Sequence, residues 1–307
     1  MIRLFIPFIF LAFSIGHAQP SSPALGSHLP PIDLDVLLYL GIQSGIASND
    51  YALKKCKKDD RPLWAPATCP MAAYISTHVK PATAEAILAS PARLVYFGET
   101  HTAQGSKHFL RGLLPELKAG GYTVLAMEMF NHSQQTVLDD FFVGRASLDA
   151  VRAALQSAWS HESQGYLELI AAAKTFGVRV LALDDRSRVP NDPLIENIKL
   201  RDLIMAQRLA DALAADPGLK IFALTGALHA QCSLSRSQTI LSQSEVFTRT
   251  TQIPTRCFTF REHMRGKSAV TDIYYRNGSS EPAFLPLDRN VAYSDGYILL
   301  PKNYARE

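Results

Sequence analysis

The chain holds only 4 cysteines, and no two are spaced as Cys-x-x-Cys. A thioredoxin-like redox motif, a zinc ribbon and covalent c-type haem attachment therefore have no support. The Gly-x-Ser-x-Gly turn that exposes a serine nucleophile is missing too, which disfavours a serine hydrolase of that kind. Charge of one sign is scarce: 31 basic residues face 28 acidic ones, a net of +3, and nothing here calls for nucleic acid or a membrane surface. The run Lys54 to Arg61 contains Asp59 and Asp60 and no interleaved aromatic, so it reads as a solvated loop rather than a binding patch. After the N-terminus no apolar run is long enough to span a bilayer, and no stable membrane span is expected.

The first residues read as a secretory signal. Arg3 supplies the charge, Leu4 to Ile15 the apolar run, and Gly16-His17-Ala18 a small residue at the cut, so the mature chain is expected to begin at Gln19. No cysteine stands near that cut to take a lipid. Residues 19–31, rich in Ser and Pro, look like a flexible lead-in, residues 32–90 like an N-terminal helical extension, and residues 91–307 like one α/β domain. Export to a periplasmic or extracellular space is oxidising, where an even cysteine count suggests disulfides. Of the three connectivities, Cys56 with Cys69 and Cys232 with Cys257 is the simplest.

Within the domain, four short apolar runs alternate with helix-period segments. Leu94 to Phe97, Thr123 to Met129, Val178 to Leu183 and Leu219 to Leu224 have the pattern of strands buried on both faces of a parallel sheet. Helices are expected over Ser106 to Ala119, Ser133 to Phe142, Ser147 to Ser157, Gln164 to Phe176 and Pro193 to Ala214. Gly120-Gly121 and Gly177 stop helices just before strands, and Ser147 caps one. The fold class is thus α/β, a mostly parallel central sheet flanked by helices. Arg256 to Arg261, Ala269 to Arg276 and Tyr297 to Leu300 look like strands of a C-terminal, partly antiparallel extension. Asp33 to Tyr39 and Met71 to Ala89 are expected to be helices packed outside the sheet.

Two of the four runs end in the same signature, LVYFGETH (Leu94 to His101) and IFALTGALH (Ile221 to His229). Each stops at a glycine and then delivers an imidazole. A Gly-x-x-His alone is weak, and Gly105 to His108 is a third instance that does not end a strand; the location gives the other two their weight. Ligands in open α/β sheets bind outside the carboxyl ends of the strands. The polar residues at those ends are Glu99 and His101, Glu128 in AMEMF, Asp184 and Asp185 in LALDDRSR, and His229. Alternation puts Val124, Ala126 and Glu128 on one side, and a carboxylate closing such a run is costly to bury unless paired. Glu99, His101, Glu128 and His229 could bind a divalent metal such as zinc or manganese, or act without one as general base and orienting acid. His108, seven residues beyond His101, is a further candidate. His132 and His161 read as surface loop residues, and Trp159 and Tyr166 as core packing.

At these residues the sequence resembles the ChaN-like haem-binding uptake family of the Tiki superfamily, which also takes in Tiki and TraB proteins and, more distantly, erythromycin esterases. The resemblance rests on motif order: GETH, then AMEMF with Gln134-Gln135 and Leu138 to Phe141, then Trp159, Tyr166, LALDDRSR, Arg201-Asp202 with Met205-Ala206, and LTGALH. It covers about Ala89 to Gln231, and more faintly SDGYILLP. It implies an exported haem-binding protein serving iron or haem uptake, with Tyr166 as the haem-ligand candidate and His108 beside it. The other branches imply a metal-dependent or His/Glu-catalysed hydrolase, a peptidase or esterase, using Glu99, His101, Glu128 and His229. Partners would be haem or a small-molecule or peptide substrate, with a homodimer allowed.

Overall fold

The computed structural model describes residues 75, 77–89, 91–161, 163–185, 194–232, 242–262, 271, 274–275, 279–287, 294–302 and 304, and for 194–199 the helical backbone alone. The secretory signal, the lead-in, the helix expected at Asp33 to Tyr39 and the Cys56–Cys69 pair lie outside them. Strands are β1 (Lys80–Pro81), β2 (Leu94–Glu99), β3 (Tyr122–Asn131), β4 (Arg179–Asp184), β5 (Lys220–Gly226), β6 (Thr255–Glu262), β7 (Ala283–Pro286) and β8 (Gly296–Leu300). Helices are α1 (Ala84–Ile87), α2 (Gly105–Ala119), α3 (Gln135–Phe142) after a 3₁₀ turn at His132–Gln134, α4 (Leu148–Ala158), α5 (Gln164–Thr175), α6 (Leu194–Ala215) and α7 (Gln243–Thr251).

All eight strands form one sheet in the order β1-β7-β8-β6-β2-β5-β3-β4. The runs β2 to β5 pair in parallel, as continuous apolar strands with helical crossovers require. Strands β6 and β8 also run parallel, and the antiparallel component is β7, against β8 and β1. Two expected elements differ. Where Ala269 to Arg276 suggested a strand, the described Thr271, Tyr274 and Tyr275 are helical; Tyr275 instead packs its ring beside β7 and β8 and donates its hydroxyl to the Leu299 carbonyl at 2.8 Å. The Met71 to Ala89 stretch is interrupted by β1, because Pro81 cannot continue a helix and Lys80–Pro81 finds a sheet edge.

Alternation along the strands divides the core in two. Val95, Phe97, Phe222 and Leu224 face one layer with α2, α4 and α5, whereas Leu94, Tyr96, Ile221 and Ala223 face the other with α6 and α7. Every residue of β2 is buried, and each large apolar side chain so placed contributes about 1.5–3 kcal/mol. Local signals set the ends. Gly177, at φ 64°, closes α5 with its N–H on the Lys174 carbonyl and that of Val178 on Ala173, a Schellman motif that delivers the chain into β4. Ser147 accepts the Ala150 N–H at 3.2 Å and starts α4. Cys232 and Cys257 are joined in a disulfide that ties the segment after β5 to β6. Among the described residues no helix is long and apolar enough to cross a membrane.

Candidate functional site

Strand β2 lies directly beside β5, with Leu94 level with Ile221 and Glu99 level with Gly226, so both glycine-histidine signatures end at the same edge. His101 and His229 meet over Gly226. A Cβ on that glycine would sit 2.9 Å from His101 Nε2 and 3.4 Å from His229 Cδ2, so the residue must be glycine for the two rings to share this space.

The two glutamates leave the sheet on opposite faces. Glu99 continues the Val95, Phe97 side toward α2 and α5, where it is buried among four donors. Lys107 Nζ reaches it at 2.7 Å, Ser106 Oγ at 3.1 Å and His101 Nδ1 at 3.2 Å, and the Tyr166 hydroxyl donates to its Oε1. Burying a carboxylate costs several kcal/mol unless it is paired this fully. A carboxylate can only accept, so His101 carries its proton on Nδ1 and turns Nε2 toward Gly226. Lys107, 1% exposed, also donates to the His101 and Ala103 carbonyls at 2.9 and 2.5 Å, pinning the loop after β2.

Glu128 continues the Val124, Ala126 side toward α6. Its Oε1 accepts from Arg201 at 2.7 Å, its Oε2 accepts from the Gly226 N–H at 2.7 Å, and His229 Nε2 lies 3.3 Å from Oε1. Burial opposes its ionisation, but His229 and Arg201 hold the carboxyl well below the usual range. Arg201 also grips Asp184 through Nε at 3.1 Å and a terminal nitrogen at 2.8 Å. On its other side His229 places Nδ1 2.5 Å from Asp202 Oδ1. Burial alone would depress this imidazole; Glu128 and Asp202 outweigh it and push its pKa up to about 10. His229 is therefore a cation at neutral pH.

The remaining candidates sort by position. Trp159 is buried and also presents its ring edge to His101, centroids 4.7 Å apart, while the exposed His161 stacks on His101 at 5.5 Å. Sequence reasoning assigned His161 to a surface loop, and it is a wall of the site. Asp185 is buried, its N–H on Asp184 Oδ1. His108 sits on α2 against Arg111 at 2.9 Å and the ring of Tyr304. His132 is exposed and contacts Arg208. Tyr166, fully buried, is committed to Glu99; burial and that carboxylate raise its phenol far above the ordinary value, which opposes the phenolate a haem iron needs.

Four site residues carried no assigned role in the sequence: Ser106, Lys107, Arg201 and Asp202. Lys107 and Ser106 open α2 and gave no periodic signal. Asp202 did: with Met205, Ala206, Leu209 and Leu213 it falls on the buried stripe of α6, an acid where a core side chain belongs. The carboxylates proposed for a metal are already engaged by protein donors. Among the described residues the His, Cys, Asp or Glu atoms that converge within 4.8 Å are those of Cys232, Cys257 and Asp295, and the two sulfurs are bonded to each other.

Residues 88–192, about a third of the chain, match the family model described as haem-binding uptake, Tiki superfamily, ChaN. The motif resemblance stands on that stretch, which contains Glu99, His101, Glu128 and Tyr166 and ends before Asp202 and His229. No protein of curated function matches. Among solved structures, a mutant of erythromycin esterase EreC in its open conformation is similar at 10% identity, over 70% of this chain and 92% of that one, with a TM-score of 0.51. The type III effector HopBA1 is similar at 17% identity, over 74% and 99%, with a TM-score of 0.49. ChaN of Campylobacter jejuni, described with cofacial heme binding, is similar at 13% identity, over 58% and 85%, with a TM-score of 0.41. The esterase likeness shows the fold alone.

Proposed function

We propose that this chain, matched in part to the ChaN haem-binding uptake family, is an exported protein whose strand-end cleft hydrolyses an ester or amide of a small molecule or peptide. The observation that carries this reading is the different partnering of the two histidines over Gly226, His101 on Glu99 and His229 between Glu128 and Asp202. His101, with Glu99 on Nδ1, is oriented as a general base with Nε2 over Gly226 at the strand ends. His229, held as an imidazolium by Glu128 and Asp202, supplies positive charge on the other side of Gly226.

In the proposed reaction His101 Nε2 takes a proton from water, and the hydroxide adds to the carbonyl carbon. The oxyanion forms in the field of His229 and Arg201. As the carbon–heteroatom bond breaks, the imidazolium of His101 returns its proton to the leaving group. Turnover of nitrophenyl esters and short peptides by the exported protein should fall by about 10²–10⁴ in His101→Ala and in Glu99→Gln, with the fold retained. Equal turnover in His101→Ala would remove the base.

Haem binding is the second reading, favoured by the family match and by the exposed His161 ring stacked on His101. Bound haem would supply a ferric iron to be ligated, and the imidazoles of His161 and His101 are the groups placed to reach one; Tyr166 does not fit. A Soret shift on haem titration that is lost in His161→Ala would establish this use of the cleft. The Cys232–Cys257 disulfide supports export to an oxidising compartment, and iron uptake would follow from the haem reading.

A further inference from the structure

Lys107 stands in the first turn of α2, a helix that opens without a local cap, since the Gln104 side chain makes no capping hydrogen bond. Glu262, at the end of β6, supplies the acceptor instead and takes the Ser106 N–H at 2.8 Å. It fits because Gly105 lacks a Cβ, which would lie 3.0 Å from the Glu262 carboxyl. The backbone that carries Lys107 is thus tied to the sheet. Its side chain is buried in the loop between β2 and α2, where three oxygens surround Nζ: Glu99 Oε2 at 2.7 Å, the His101 carbonyl at 2.9 Å and the Ala103 carbonyl at 2.5 Å. The face of the Tyr166 ring lies against the same nitrogen, its centroid 4.5 Å away.

An ammonium suits these surroundings, because it has only protons to offer to oxygen and a charge to offer to a ring face. A neutral amine would set its lone pair against an oxygen. The loop therefore surrounds Lys107 as it would a bound cation, and the contacts of that cation lead to His101 by three routes. Glu99 gives Oε2 to Lys107 and Oε1 to His101 Nδ1, at 3.2 Å. Tyr166 rests its ring on the ammonium and donates its hydroxyl to the same Oε1. The third route is the His101 carbonyl itself. We infer that Lys107 is a positioning residue for His101: its ammonium, at the centre of the β2–α2 loop, orients Glu99 and fixes the His101 backbone so that Nδ1 keeps its proton and Nε2 stays over Gly226. The consequence for turnover rests on the hydrolytic reading above; the hold on the His101 ring and its tautomer does not.

The test separates charge from bulk, in the full exported protein. Nitrogen–proton correlation NMR with labelled histidine should show His101 protonated on Nδ1 alone. In Lys107→Met both tautomers should appear, and kcat for nitrophenyl esters should fall by about a hundredfold with KM unchanged, the scale of a misplaced catalytic group. Lys107→Ala refolded with propylammonium, which replaces the deleted chain and its charge, should regain the single tautomer and at least about tenfold in kcat. Propanol, of the same length without the charge, should restore neither. The refolded alanine variant also answers the question if Lys107→Met does not fold. A single Nδ1 tautomer with full kcat in Lys107→Met, rescue by propanol as well as by propylammonium, or rescue by neither would overturn the inference. No turnover in the unsubstituted protein, with the tautomer lost in Lys107→Met and regained with propylammonium, would sink only the hydrolytic reading.

Discussion

His101 Nε2 packs so closely over Gly226 that a Cβ there would lie 2.9 Å from it. The ring has little freedom to yield, because Glu99 holds Nδ1 and Trp159 and His161 border its faces. Gly226→Ala should therefore force the imidazole off Glu99 and out of its working position, a local change that leaves the strand folded. Stability should change by about 1–3 kcal/mol at most, whereas ester turnover should drop by about a hundredfold, the scale of a 1 Å misplacement. Urea denaturation and initial rates measure the two effects separately, and a variant with normal rates would show that the ring position is unimportant.

Tyr166→Phe separates the positioning role of that residue from a haem-ligand role. Its hydroxyl donates to Glu99 from inside the core, so removing it should leave any haem spectrum unchanged and loosen the Glu99–His101 pair. A fall in kcat of about tenfold to a hundredfold corresponds to one hydrogen bond to a charged group. Loss of a ferric charge-transfer band in this variant would instead reinstate the phenol as ligand.

His229 makes stability depend on pH in a stated direction. Its folded pKa of about 10 lies above the ordinary value of 6.5, so its contribution is fully present below about pH 6.5 and is lost as pH rises through 10. Glu128, depressed below 4.5, acts in the opposite sense: its contribution is present above that value and is lost as pH falls through its folded pKa. Thermal melts of the wild type and His229→Gln should therefore differ most near pH 6 and converge toward pH 10. A difference that does not change across this range would mean that the imidazole is buried neutral.

The Cys232–Cys257 bond closes a segment of sequence separation 25 that contains α7. Restricting that loop in the unfolded chain is worth roughly 3.5 kcal/mol by the loop-closure estimate. Replacing both cysteines with alanine should lower stability by about that amount in chemical denaturation. An unchanged midpoint would place the constraint elsewhere.

Sequence by itself determined the elements whose causes are local. Continuous apolar runs specified β2 to β5, Gly177 specified the end of α5, and alternation along β3 put Glu128 with Val124 and Ala126. The carboxylates at successive strand ends were legible because an acid closing an apolar run needs a partner. Which partner was decided by tertiary structure. Sheet order placed β5 beside β2 across more than a hundred residues, and only that adjacency brings His101 and His229 over one glycine. The packing of α6 turned Arg201 and Asp202 onto Glu128 and His229, and the docking of α5 aimed Tyr166 at Glu99. Because charge states and ligand capacity follow from these long-range contacts, the division of the histidines into a base and a cation was fixed by the fold, from residue types the sequence had already supplied.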